Sequence, residues 1–126
     1  MVEPKAIAIV AENDAVTRDL VRMTLERLGC EVILSESGEE VPLLVERYLP
    51  EILVVDTFLP HKGGLELVRQ IHSQPRLQSV KVFVLSRLDY EHLVDPDLLL
   101  DRNDFFNRPL DVESFSRRVC QILNDF

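Results

Sequence analysis

The chain has 126 residues, 46% hydrophobic and 29% charged, with 22 acidic side chains against 14 basic ones for a net charge of −8. That length suits a single domain, expected over residues 1–126, able to bury roughly two-thirds of its unfolded surface in one core. The negative charge repels phosphate backbones and anionic lipid, excluding direct nucleic-acid or membrane-surface binding, and the mixed composition without repeats or charge blocks excludes disorder and solenoids.

The opening stretch, MVEPKAIAIVAEND, has an apolar core of only five residues followed at once by acids. It is too short and too acidic for a signal peptide or a membrane span, so a cytoplasmic protein is expected. AIAIV at 6–10 reads as a first strand. The next segment has helical period: Val16, Leu20, Val21, Thr24, Leu25 and Leu28 form one arc, with Arg18, Asp19, Arg22 and Glu26 opposite. Gly29 ends that helix.

EVIL at 31–34 is the second strand. Ser37 and Glu40 have the spacing of a capping box and announce a helix with Val41, Leu44, Val45 and Tyr48 on one face, Pro42 interrupting its first turns. ILVV at 52–55 is the third strand, and a helix is predicted over 64–74 with Leu67, Val68 and Ile71 inward, ending before Pro75. VKVFVL at 80–85 is the fourth strand. RLDYEHLVDPDLLLDRN follows, with Pro96 in its middle; a loop leading to a short helix capped by Asp95, or a distorted helix, is expected there. DFF at 104–106 is the fifth strand. Asp111 then caps a last helix whose stripe is Val112, Phe115, Val119, Ile122, Leu123 and Phe126.

The strands are continuous and β-branched rather than alternating, as strands buried on both faces should be. Five alternations of strand and helix imply an α/β fold, a parallel sheet with helices on both faces. Cys30 and Cys120 lack metal or redox spacing and are expected as free thiols.

In such open sheets ligands collect beyond the carboxyl ends of the strands. The residues there are Glu12, Asn13 and Asp14 after the first strand, Asp56 after the third, Ser86 and Arg87 after the fourth, and Arg108 with Pro109 after the fifth. Acids, a hydroxyl and a cation at one edge suit a hard divalent cation and a phosphoryl group, with one carboxylate free to attack.

With these residues in this order, the sequence resembles a receiver domain of bacterial two-component response regulators. The resemblance covers the whole chain and implies a doubly wound (βα)5 flavodoxin-like three-layer sandwich, strand order 2-1-3-4-5, with an irregular fourth helix. It implies that Asp56 accepts a phosphoryl group from a sensor histidine kinase or phosphotransfer protein, with Mg2+ bound. Pro60 and Gly64 match the loop behind that aspartate. Ser86 matches the hydroxyl that contacts the phosphoryl group, and Phe105 the aromatic switch, which as a residue is equally a core ring. Arg108-Pro109 stands where the family has Lys-Pro, with a cis bond before the proline. Glu12, Asn13, Asp56 and the backbone carbonyl of Phe58 fall at the metal positions.

Three departures stand out. Asn13 replaces an acid, which removes one negative charge and weakens the expected Mg2+ site. Arg108 replaces a compact ammonium with a longer planar fork. Arg87 follows Ser86 where a small residue is usual, and is expected either as a gate on access of the phosphodonor or as a second cation. Residue by residue, plainer roles stand beside these: Glu12 and Asn13 as a helix cap and counter-charge to Arg108, Asp14 as an exposed loop or cap residue, His61, Lys62, His72 and His92 as surface residues, Arg117 and Arg118 facing solvent or a partner.

The implied function is a non-enzymatic switch, at most self-catalysing its own phosphorylation and dephosphorylation. Its protein-binding face is formed by the fourth helix, fifth strand and last helix, with a downstream protein or fused output domain as target. The alternative is a phosphorylation-independent interaction module of the same fold. An aspartate-nucleophile phosphatase would need a second acid at position 58, which is Phe58. A flavin or dinucleotide site would need a glycine- or hydroxyl-rich loop where AENDAVT stands.

Overall fold

The computed structural model of the chain describes residues 5–59, 62–87 and 101–124. Five strands, β1 (Ala6–Ala11), β2 (Cys30–Ser35), β3 (Ile52–Asp56), β4 (Lys81–Ser86) and β5 (Phe105–Asn107), pair in parallel in the order β2-β1-β3-β4-β5. Four helices accompany them among the described residues: α1 (Ala15–Arg27), α2 (Val41–Tyr48), α3 (Gly64–His72) and α4 (Val112–Asn124). The expected doubly wound, flavodoxin-like sandwich is what forms. The irregular helix expected after β4 lies outside the described residues, as do Pro60, His61, His92 and Phe126.

Successive side chains of a strand point to opposite faces, and β3 shows the consequence: all five of its residues are buried. On one face Ile9, Leu53, Val55 and Val84 pack with Val41 and Val45 of α2 and Leu67, Val68 and Ile71 of α3. On the other, Val10, Val54, Phe83 and Leu85 pack with Val21 and Leu25 of α1 and Phe115, Val119 and Ile122 of α4. Phe83, Phe106 and Phe115 meet edge to face at centroid distances of 5.3 to 5.7 Å. Burying one such large apolar side chain contributes about 1.5–3 kcal/mol, so the central strands anchor the site at their ends.

Several local expectations need correction. Val16 is 78% exposed and Leu20 is exposed as well, whereas Val21, Thr24 and Leu25 are buried. At about 100° per residue, Val16 and Leu20 lie on the flank of the α1 arc, outside the narrower strip that the sheet covers. The capping box does not form: Glu40 is the N-cap residue but makes no side-chain cap bond. Its carboxylate instead accepts from the Ser35 hydroxyl at 3.0 Å, and Ser37 Oγ accepts from the Glu39 N–H at 3.2 Å. Pro42 sits in the first turn, where no intrahelical donor is needed, so it does not disturb the helix.

Aspartate side chains cap α1 and α4. Asp14 accepts from the Thr17 N–H at 3.0 Å, and Asp111 from the Glu113 N–H at 3.1 Å. Gly29 adopts φ +95° after α1, the left-handed conformation that favours glycine. Two groups expected at the surface are drawn inward. His72 is half-buried, and that burial, helped by Lys81, lowers its pKa. Arg118 donates from Nε to the buried Asp104 at 2.7 Å, while Arg117 stays exposed beside Glu113. Cys30 is buried and Cys120 partly so, both as free thiols.

Candidate functional site

Strand register brings the distant residues together. Ala11 pairs with Val55, Asp56 with Leu85, and Ser86 with Asn107, so the carboxyl ends of β1, β3, β4 and β5 lie side by side. The loops leaving them are tied back to the sheet. The Thr57 N–H donates to the Leu85 carbonyl at 3.1 Å, and the Arg108 N–H to the Ser86 carbonyl at 2.9 Å. Gly64 opens α3 close behind Asp56: a Cβ there would overlap the Asp56 carbonyl, which is why the β3–α3 turn takes glycine.

A cleft of about 200 Å³ results, lined by Glu12, Asn13, Asp14, Asp56, Phe58, Arg87 and Arg108. Glu12 is fully buried and Asp56 nearly so. Arg108, whose side chain is 11% exposed, bridges them: its Nη2 pairs with Glu12 Oε2 and with Asp56 Oδ2. The remaining carboxylate oxygens take backbone donors. Glu12 Oε1 accepts from the Asp14 N–H at 3.0 Å, and Asp56 Oδ1 from the Phe58 N–H at 2.8 Å.

Two carboxylates thus share one guanidinium. Burial, with the nearby Asp56, pushes the Glu12 carboxyl up to about 7, although Arg108 and the Asp14 N–H pull the other way. Burial by itself would lower the Arg108 pKa, but its bonds to Glu12 and the charges of Glu12 and Asp56 hold it above the usual value. Asp14 is held low by the Thr17 hydroxyl and N–H.

The raised Glu12 pKa has a testable effect on stability. The unfolded carboxyl ionises near 4.5 and the folded one near 7, so the folded state retains the proton longer. Its contribution is fully present below pH 4.5 and is lost as pH rises through 7. At 1.36 kcal/mol per pKa unit that loss is on the order of 3 kcal/mol. Urea unfolding across this range should show wild-type stability falling with pH relative to Glu12→Gln, which lacks the titration.

The other expected site residues fall as follows. Ser86 is fully buried, and its hydroxyl accepts from Thr57 Oγ1 at 3.4 Å. Phe105 is half-buried against the α2–α3 side of the core. The Arg108-Pro109 bond is cis, as expected. Arg87 is exposed at the rim of the cleft, Asn13 is exposed, and Phe58 is 62% exposed. Lys62 donates to Gln70 at 2.7 Å, away from the carboxylates. The cap of α1 is Asp14, not Glu12 or Asn13. Sequence reasoning missed two residues, Thr17 and Thr57; Thr17 Oγ1 accepts from Arg108 Nη1 at 2.8 Å.

The donors suit Mg2+ by chemistry, being carboxylate and amide oxygens. Among the described residues, however, no three His, Cys, Asp or Glu side chains gather as a metal site. The cation between the two carboxylates is the guanidinium.

A profile of the response regulator receiver domain matches residues 8–119. An uncharacterised 14.6 kDa protein of Leptolyngbya boryana, encoded in the sodA1 3' region, is 31% identical over 113 residues, 90% of this chain and 86% of that protein. The phosphate regulon transcriptional regulatory protein PhoB of Rhizobium meliloti is 27% identical over 93% of this chain, which spans 51% of the regulator's length. The signal receiver domain of a signal transduction histidine kinase from Syntrophus aciditrophicus has the same fold, with a TM-score of 0.83 at 21% identity over 95% of this chain and 91% of that one.

Proposed function

The chain belongs to the response regulator receiver domain family, and from that premise we propose that it accepts a phosphoryl group on Asp56 and thereby switches a protein-binding face. The observation that carries this reading is the meeting of Asp56, Glu12, Ser86 and Arg108 at one sheet edge. A single nucleophilic carboxylate, a cation and a buried hydroxyl are the parts phosphoryl transfer needs.

In the proposed step a carboxylate oxygen of Asp56 attacks the phosphorus of a phosphohistidine, and the P–N bond breaks with its electron pair passing to the imidazole. The Phe58 N–H orients Asp56 by holding Oδ1. Arg108 moves from the carboxylate to the new phosphoryl oxygens, a transfer its planar fork suits. Mg2+, held by Glu12, Asn13, Asp56 and the Phe58 carbonyl, would neutralise phosphoryl charge. Ser86 turns its hydroxyl from Thr57 to the phosphoryl group. Phe105, on the neighbouring strand, follows inward, reshaping the surface of β5 and α4. Phosphate biases that equilibrium only through differential contacts with Ser86 and Arg108.

The partners on this reading are a sensor histidine kinase or phosphotransfer protein and a downstream protein or output domain. The negative charge argues against direct nucleic-acid contact. No helix among the described residues is long and apolar enough to cross a membrane, and a cytoplasmic site of action is part of the proposal. A second reading, an interaction module that works without phosphorylation, is favoured by the way Arg108 already satisfies both carboxylates.

Beryllofluoride, a stand-in for the phosphoryl group, separates the two. With Mg2+ present, NMR should show the Ser86 amide and the Phe105 ring shifting on its addition. Unchanged spectra would favour the unphosphorylated module.

A further inference from the structure

Arg108 is fixed at more than its carboxylate contacts. Its Nη1 donates to Thr17 Oγ1 at 2.8 Å, and Asp14 Oδ2 lies 3.9 Å from the same nitrogen. Thr17 is itself held in place: its hydroxyl donates to Asp14 Oδ2 at 2.6 Å and its N–H to the same oxygen at 3.0 Å. With its one proton committed to Asp14, the hydroxyl presents a lone pair to the guanidinium. Asp14, Thr17 and Arg108 therefore form a chain of bonds from the α1 N-terminus to the loop after β5.

The arrangement bears on metal entry. Glu12 Oε2 and Asp56 Oδ2 both pair with Nη2, while Glu12 Oε1 and Asp56 Oδ1 take backbone N–H groups. Every carboxylate oxygen of the pair is engaged. With Asn13 neutral, the pair and the guanidinium sum to at most a single negative charge, so a divalent cation finds a weak attraction until Arg108 withdraws.

We infer that Thr17 is a positioning residue: it latches Arg108 over Glu12 and Asp56 as a tethered competitor for the divalent-cation seat, so that Mg2+ binds only as the guanidinium lets go. The inference rests on Glu12 and Asp56 being the metal-binding pair. It assigns to α1 a part in setting Mg2+ affinity, which no carboxylate of the site supplies.

Isothermal titration of the whole chain with MgCl2, without phosphodonor, tests it. Thr17→Val keeps the shape and the α1 backbone cap but removes the hydroxyl; Arg108→Lys keeps the charge but lacks the fork that reaches Thr17. Thr17→Val should bind Mg2+ roughly tenfold tighter than wild type, equivalent to about 1.4 kcal/mol, and Arg108→Lys should also bind tighter. Equal or weaker binding by Thr17→Val with unchanged melting in EDTA would overturn the latch, as would the absence of Mg2+ binding in all three proteins. Acetyl phosphate labelling is read separately: labelling with equal Mg2+ affinities refutes the latch and leaves the receiver reading intact, whereas a tighter Thr17→Val that is never labelled supports the latch and refutes phosphorylation.

Discussion

Arg108→Met should lower the stability of the chain by about 3 kcal/mol at pH 7, a drop in melting temperature on the order of 10 °C. The substitution leaves Glu12, fully buried, and Asp56 without the guanidinium they share. Neither carboxylate can escape to water, because β1 and β3 hold both at the sheet edge. Glu12 must then keep its proton, so its folded-state ionisation moves further above the unfolded value. The sign follows: the loss is smallest near pH 5, where the proton replaces the missing cation, and grows as pH rises. Mg2+ should restore part of the stability, since the seat between the carboxylates is then open. Urea unfolding at pH 5 and pH 8, with and without Mg2+, measures all of this. A variant equally stable at both pH values would show that the pair is not held by Arg108.

Asp56→Asn should abolish phosphoryl incorporation while leaving the fold intact. The amide lacks a nucleophilic oxygen, yet it can still accept from the Phe58 N–H that holds Oδ1. Glu12 then has Arg108 to itself. Burial raises the Glu12 pKa first, and the hydrogen bond and charge of Asp56 add to it, so the substitution should bring the Glu12 pKa down. A carboxylate that has no rival for its cation is better paired, and Asp56→Asn should melt no lower than wild type at pH 7. Loss of labelling with retained melting separates a missing nucleophile from a damaged fold.

Much of this was legible in the sequence because the central strands are apolar on both faces. AIAIV, ILVV and VKVFVL mark the layers, and the acids, hydroxyl and cation just beyond them mark the carboxyl edge where the candidate site forms. The caps at Asp14 and Asp111 and the stop at Gly29 follow from local chemistry, which a sequence carries in full. The failures are tertiary. Ser37 and Glu40 have capping-box spacing, but Ser35 at the end of β2 offers Glu40 a competing hydroxyl. Val16 and Leu20 have the right period, but how far the sheet extends under α1 is not written in α1. Arg118 lies on an amphipathic helix as any surface arginine would, and only the fold brings Asp104 to it.

The site divides in the same way. Order along the chain puts Asp56, Ser86 and Arg108 at one sheet edge, and the resemblance implies the cis bond before Pro109, but the side-chain geometry of Arg108 could not be read from its place in the chain. By sequence Arg108 is only a longer planar fork in place of a compact ammonium. In the fold that length serves Glu12, Asp56 and Thr17 together. Thr17 lies 91 residues from Arg108, and its only sequence signal is a hydroxyl one turn into a helix.

Intact mass after incubation with acetyl phosphate and Mg2+, on wild type and Asp56→Asn side by side, tests the central claim most directly. The wild-type chain should gain the mass of one phosphoryl group, lost on alkaline treatment as an acyl phosphate would be, and Asp56→Asn should gain none. An unmodified wild type, or equal gain by both proteins, would contradict it.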